Sequence, residues 1–349
     1  MEQLDQSKES AQRPPGNNPG AEEPFPGMGG GGPGRGPGGN GPRMGIEFKK
    51  GTATLEFEGQ PYGLLRVRFK GNSSFNFARN SLKRSFKLDF NDLEKGHTFF
   101  GLTKLNLNNN AMDPSQLREA LAYHVLREGG LPASRTAFAK VYLTIPGQYD
   151  KAYAGLYTVV EQVDERFFKT RFGTKSGLLL KPERLQGLPY LGNDWAAYTS
   201  RVQPKSTVST NDSNRFIEFT QRLNVTDERR FRPTVGEFVD VDEFLRFLAL
   251  QALLSNMDSP LMTGHNYYLW LHPQTRKFLW IPWDMNEAFG GPGPRRGGPM
   301  GARRPKPALK AFINERIASV RSQLESGKDG YLPREMRPRN GGPRGGGPP

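Results

Sequence analysis

Asn266-Tyr-Tyr-Leu-Trp-Leu271 and Phe278-Leu-Trp-Ile-Pro-Trp283 are two β-rich apolar runs separated by a polar turn at residues 273–276. They read as a β-hairpin whose second strand runs directly into Asp284-Met-Asn-Glu-Ala-Phe-Gly290. Upstream, Asp242-Glu-Phe-Leu-Arg-Phe-Leu-Ala-Leu-Gln-Ala-Leu-Leu254 is almost wholly apolar, which predicts a deeply buried helix. Asp258 follows that helix, and Asp284 follows the hairpin. Each acid therefore stands where an apolar segment ends, with His265-Asn266 between them.

Further toward the N-terminus the pattern is mostly β. Ile46-Glu-Phe-Lys, Ala53-Thr-Leu-Glu-Phe and Leu64-Leu-Arg-Val-Arg-Phe predict strands, with a turn marked by Gly59 and Gly63. Lys70-Gly-Asn-Ser-Ser74 reads as a loop. Arg84-Ser-Phe-Lys-Leu-Asp-Phe90 alternates, placing Phe86, Leu88 and Phe90 on one face and Lys87 on the other. Asp113-Pro-Ser-Gln predicts a helix start, and the helix carries Leu117, Leu121, Val125 and Leu126 before Gly129-Gly130 stops it. Strands are expected over 137–144, 155–161 and 178–181, and a helix from Asn211 with a Phe216, Phe219, Leu223 stripe. Strands with one helix, then mostly helices, then a late hairpin describe an α+β fold with two lobes.

Gly and Pro are numerous, 42 and 29 of 349 residues, but concentrated in residues 14–44, 290–307 and the tail from 332. These stretches bury too little apolar surface to offset their ordering entropy, so disordered arms are expected at 1–44 and 332–349, with a Gly/Pro/Arg linker at 290–307. A folded domain over 45–289 and a separate helix over 308–328 remain. The net charge is +14; the linker holds four Arg and one Lys without an acid, and the tail four Arg against one Glu. Polyanions, nucleic acid among them, could bind such arms, although no aromatic residues are interleaved with the Arg for base stacking. The absence of Cys excludes disulfides and thiolate metal sites. No run approaches the ~18 apolar residues of a membrane span. Residues 1–6 lack the basic and apolar regions of a signal peptide, and the compartment stays open.

Two acids with an Asn between them suit Mg²⁺-assisted phosphoryl transfer. One Asp can accept the substrate hydroxyl proton, while the Asn and the second Asp offer hard oxygen ligands. Aspartates at element ends are also common turn and capping residues, and spacing alone does not separate the two readings.

The surrounding words narrow the choice. Asn256-Met-Asp-Ser, His265-Asn-Tyr-Tyr-Leu-Trp and Trp280-Ile-Pro-Trp-Asp-Met-Asn-Glu-Ala-Phe-Gly290 resemble the CotH family, spore coat protein H-like atypical protein kinases. So do Lys70-Gly-Asn-Ser-Ser, Leu82-Lys-Arg-Ser-Phe-Lys-Leu-Asp-Phe, Ser115-Gln-Leu-Arg-Glu-Ala-Leu-Ala-Tyr and Gly155-Leu-Tyr-Thr-Val-Val-Glu-Gln-Val-Asp164. The resemblance implies a divergent two-lobed protein-kinase-like fold that transfers the ATP γ-phosphate to protein Ser/Thr with Mg²⁺ or Mn²⁺. It implies Asp258 as catalytic residue, with Asp284 and Asn266 as metal ligands. On the nucleotide side Lys87 could pair with ATP phosphates and Glu119 could orient it; Lys83, Arg84 and Lys181 compete for the lysine's role. The 70–74 loop could cover phosphates through its N–H groups. Glu161 and Val163, in the segment joining the lobes, could offer backbone groups to adenine. His265 is read as ordering Asn266 or contacting phosphate, and the tryptophans as packing. A helical segment usual in the family after the Asp284 word is replaced here by the 290–307 linker. The alternative is a non-catalytic coat-like or surface-binding protein of the same fold.

Overall fold

A computed structural model of the chain describes residues 8–9, 46–71, 73–183, 185, 187–225, 227–290 and 306–327. The arms and linker expected at 1–44, 290–307 and 332–349 lie almost wholly outside the described residues. The chain divides into two compact units, Met1–Lys306 and Pro307–Pro349. The architecture is mixed α and β, and the sheets are antiparallel, as expected for α+β.

The larger sheet begins with β1 (Gly51–Phe57) and β2 (Gln60–Phe69). The two-residue loop Glu58-Gly59 joins them with both φ positive, 51° and 75°, so the turn twists with the strands. Gly63, expected in the turn, lies within β2, across from a register shift between Thr54 and Glu56. A short helix α1 (Ser73–Phe77) takes over the last two residues of the expected 70–74 loop. Then come β3 (Phe86–Asp89), β4 (Lys104–Asn108), helix α2 (Arg118–Glu128), β5 (Thr136–Ile145) and β6 (Tyr149–Glu161). Their spatial order is β1-β2-β3-β4-β6-β5. Helix α2 starts later than Asp113-Pro-Ser-Gln suggests. The Asp113 carboxylate instead closes a turn onto Ser115 and then accepts from Arg118 N–H at 2.9 Å.

Strand parity gives this sheet two unlike faces. Leu65, Val67, Phe69, Phe86, Leu88, Phe90, Leu105 and Tyr157 form the core with Phe75 of α1. The opposite face carries Arg66, Arg68, Lys87, Asp89, Lys104 and Asn106, as the pairs Arg68↔Lys87, Lys87↔Asn106 and Asp89↔Lys104 require.

Asp164 caps helix α3 (Glu165–Phe172), accepting from Arg166 and Phe167 N–H, and Gly173 ends it in the left-handed region. The second sheet has the order β8 (Val202–Pro204), β7 (Leu178–Pro182), β9 (Tyr267–Leu271), β10 (Phe278–Pro282). Every residue of β9 is buried, and Trp270 stacks on Phe168 of α3 at 4.3 Å between ring centroids. Helices α4 (Thr210–Val225), α5 (Glu228–Phe238) and α6 (Val241–Leu253) belong to the same unit. Helix α6 is not deeply buried as expected. Its inward stripe is Glu243, Phe247 and Gln251, while Leu245 is 56% exposed. The second unit contains helix α7 (Leu309–Ser326), with no buried residue. Among the described residues no helix is long and apolar enough to cross a membrane.

Candidate active site

The β9–β10 hairpin is antiparallel, with Tyr267 opposite Pro282, so Asn266 and Asp284 emerge at the same end. Trp283 N–H donates to Asn266 O at 3.1 Å and locks that end. Both Asn266 (φ 63°) and Asp284 (φ 53°, ψ 65°) are left-handed, a conformation costly for non-glycine residues and concentrated at functional sites. Helix α2 supports Asp284 from behind: Asp284 N–H donates to the Tyr123 hydroxyl at 3.1 Å, and Arg118 donates to Phe289 O at 2.5 Å.

Asp258 lies in the turn after α6 and is gripped by the hairpin end. His265 Nε2 lies 2.6 Å from its Oδ1, and Asn266 Nδ2 donates to its Oδ2 and its backbone O, both at 2.9 Å. Burial alone would raise the Asp258 pKa. The bonds and charge of His265, with bonds from Thr263 and Asn266, outweigh this and hold it below the usual carboxylate range. An ionised Asp258 requires His265 Nε2 to carry the proton. His265 thus orders Asp258, the partner that its proximity to Asn266 in sequence had concealed.

A cleft of about 1330 Å³ opens beside this end, lined by His265, Asn266, Trp283 and Asp284 and roofed by the cationic face of the larger sheet. Asp258 adjoins the cleft through its bonds to the lining residues His265 and Asn266, and its side chain is 34% exposed. Among the described residues nothing donates to the Asp284 carboxylate. Burial raises its pKa and Asp258 adds to this, while Lys70 and Lys181 oppose it. Since Asn266 spends its NH₂ on Asp258, its Oδ1 remains as an acceptor. Two hard oxygen donors, one an unbonded carboxylate, fit Mg²⁺ or Mn²⁺ completed by phosphate or water oxygens. Among the described residues no three His, Cys, Asp or Glu are grouped to hold a metal by themselves.

The lysine facing Glu119 is Lys70, which sequence reasoning passed over. Its Nζ donates to Asn108 Oδ1 at 2.6 Å, and Asn108 Nδ2 donates to both Glu119 oxygens at 2.8 Å. Lys70 also lies 5.4 Å from the centre of the Trp283 ring. A pocket of about 40 Å³ is lined by Lys70, Asn108, Glu119 and Asp284 together. Burial, then Asp284, push Glu119 up to about 7; burial lowers Lys70, and Asp284 and Glu119 pull it back.

The expected pairing of Lys87 with Glu119 is therefore corrected. Lys87 lies on the cleft roof and donates to Gln162 Oε1 at 2.7 Å. Lys181 also lines the cleft, paired to Glu183 at 3.2 Å. Lys83 binds Gln116, and Arg84 lies over the Phe69 and Phe75 rings; neither lines the cleft. The Glu161 side chain is buried between Arg135 and Arg171, each at 2.7 Å, and its N–H is given to Arg135 O. Glu161 thus has a structural partner set, leaving Val163, which lines the cleft, as the nearer residue to any ligand.

Residues 67–322 match the family model described as CotH kinase protein. The chain is also 26% identical over 215 residues to the inner spore coat protein H of Bacillus subtilis (strain 168). That alignment covers 61% of this chain and 56% of the relative, so the chain spans little more than half of that protein's length. With nearly three quarters of its length matched, the chain belongs to the CotH kinase protein family.

Proposed function

We propose that the chain is a divalent-metal-dependent protein Ser/Thr kinase with a divergent two-lobed kinase-like fold. The observation that carries this is that two constellations meet at one cleft, which Lys70, Asn266 and Asp284 line while Asn108, Glu119 and Asp258 are bonded to them or lie beside them. Lys70, Asn108 and Glu119 come from the larger sheet and α2; Asp284, Asn266 and Asp258 come from the hairpin end. The position of α2 in the chain, between β4 and β5, and its bonds to the Asp284 segment support the kinase-like reading.

In this reading Lys70 holds phosphate oxygens, and Asn108 with Glu119 fixes its direction. Asp258, oriented by His265 and Asn266, accepts a hydrogen bond from the substrate Ser or Thr hydroxyl and takes its proton as the oxygen attacks the γ-phosphorus. The bond to the β-phosphate oxygen breaks and ADP leaves. Asp284 and Asn266 would hold Mg²⁺ or Mn²⁺, which supplies neutralisation of the phosphate charge. A depressed Asp258 pKa makes it a weak base, so its main contribution is orientation, with proton acceptance late in a loose transition state.

The test is transfer from γ-labelled ATP to a Ser-rich protein with Mg²⁺ or Mn²⁺, comparing wild type with Asp258→Ala and Asp284→Ala. Each substitution is expected to cost about 10²-fold or more. Transfer that survives both defeats the assignment. Absence of nucleotide binding favours the coat-like alternative, which the name of the Bacillus relative supports.

A further inference from the structure

The roof of the cleft has a charge pattern that a nucleotide base does not call for. Arg68 and Lys87 are directly opposed on β2 and β3, and like charges so placed repel. Their hydrogen bonds go to neutral oxygens: Arg68 to Phe69 O at 2.9 Å, Lys87 to Gln162 Oε1 at 2.7 Å. Lys70 follows Arg68 by two positions, about 7 Å along the strand direction. On the other side lies Lys104, whose carboxylate partner Asp89 is 3.6 Å away. Asn106, 1% exposed, fills the row beside Lys87 and donates to Gln162 Oε1. The surface over the cleft is thus polar from end to end, with its apolar side turned into the core.

Among the described residues no carboxylate pairs with Arg68 or Lys87. Burial, then Arg68, Lys70 and Lys104, push Lys87 down to about 7, against the opposing pull of Asp89. Cations collected on a concave, partly buried wall focus a positive field into the cleft, and an anion laid along them removes both the repulsion and the cost of burial.

We infer that the roof is a polyphosphate track. Arg68 and Lys87, flanked by Lys70 and Lys104, bind successive phosphate groups of an extended phosphate anion, so the phosphate chain rather than the base carries recognition. The triphosphate of a nucleotide and inorganic polyphosphate share this chemistry. The inference rests on the proposed kinase reading for the end at Lys70 and Asp284, where transfer would occur. Binding along Arg68 and Lys87 can be measured without transfer.

Calorimetric titration of the full chain with ATP, GTP, inorganic tripolyphosphate and adenosine, in Mg²⁺ and about 0.15 M salt, makes the test. Tripolyphosphate and GTP are expected within about tenfold of ATP, and adenosine far weaker. Arg68→Gln and Lys87→Gln should each weaken tripolyphosphate and ATP alike, by about tenfold or more, while Lys87→Arg holds near wild type. These comparisons also separate the cleft from the Arg-rich arms, which no variant alters. The wild-type ligand series stands even where a Gln variant fails to fold. Adenosine binding as tightly as ATP, or tripolyphosphate binding that is absent or unmoved in folded variants, overturns the inference. Tripolyphosphate bound on the track with no phosphate transfer to protein sinks the kinase reading alone. ATP-dependent transfer without tripolyphosphate binding sinks the track alone. Selectivity for ATP and GTP over tripolyphosphate would mark the nucleoside as the ligand's recognised part and also count against it.

Discussion

Replacing Glu243 by Gln should stabilise the protein, and increasingly so as pH rises. Glu243 sits at the third position of α6, where a glutamate would ordinarily fold back on the helix cap. Here it faces inward, 8% exposed, and neither carboxylate oxygen makes a well-formed hydrogen bond. Burial pushes it up from 4.5 to about 8; Asp240 adds to this, while the Trp280 backbone and Arg246 offset part. A group whose folded pKa lies above its unfolded value stabilises the fold fully below the unfolded value and loses that contribution as pH rises through the folded one. For Glu243 the window runs from about 4.5 to about 8. At about 1.36 kcal/mol per pH unit, the penalty reaches at most about 5 kcal/mol above pH 8, and about 3 at pH 7. A neutral Gln of the same shape removes it. Midpoints of thermal unfolding, wild type against Glu243→Gln, should coincide near pH 4.5, separate by roughly 6–12 °C at pH 7 for a gain of about 3 kcal/mol, and separate further at pH 8. A difference that stays flat with pH, or a Gln variant less stable at pH 8, would show that Glu243 is not a buried, charge-strained carboxylate.

Three further outcomes concern the cleft. Asn108→Leu cuts the link between Lys70 and Glu119 and leaves a buried carboxylate without its donors; unfolding midpoints should fall by the equivalent of about 1–3 kcal/mol, with phosphate transfer reduced about tenfold or more. Unchanged transfer in a folded Asn108→Leu protein would remove the relay from the mechanism. His265→Gln should lower the transfer rate about tenfold while nucleotide affinity by calorimetry stays put, because Asp258 keeps only its bonds from Asn266 and Thr263; a loss of affinity with the rate intact would place His265 on phosphate instead. Glu161→Ala leaves the part-buried Arg171 without its carboxylate, while the 58% exposed Arg135 stays solvated, and should cost about 1–3 kcal/mol in unfolding experiments without changing nucleotide affinity. The reverse pattern, stability held and affinity lost, would return Glu161 to the binding site.

The parts of the site readable in the sequence are those set by local periodicity and by one hairpin. Two apolar runs with a short turn predict an antiparallel pair, and an antiparallel pair must bring residue 266 beside residue 284. The alternation of Phe86, Leu88 and Phe90 likewise foretells which side of β3 enters the core. Helix α3 left legible marks, an Asp164 cap and a Gly173 stop, but its eight residues hold too few turns for a periodic stripe to stand out. Helix α6 misled for the opposite reason. Its composition is apolar all round, so nothing local says that Glu243 and Gln251 turn inward while Leu245 meets solvent; packing against β10 decides it.

The lysine facing Glu119 was hidden by its intermediary. A direct Lys–Glu pair can be sought by sign of charge, whereas Lys70 and Glu119 are joined through Asn108, a residue that advertises neither role. Parity nonetheless limits the choice once the register is known. On β2 the cleft face takes residues 66 and 68 and continues to Lys70; on β3 it takes 87 and 89; on β4 it takes 104, 106 and 108. Arg84 has the wrong parity and lies on the core side, over Phe69 and Phe75. Lys83 precedes the paired part of β3 and is spent on Gln116. Lys87 has the right parity but stands in the row with Asn106, one step short of Asn108, and so cannot share the bond that reaches Glu119. The same alternation that fills the core with Val67, Phe69 and Leu88 therefore sets the order of cations on the other face. Lys70 falls beside the carboxylates, and Arg68 and Lys87 fall further along the roof, where a bound anion would supply the missing negative charge.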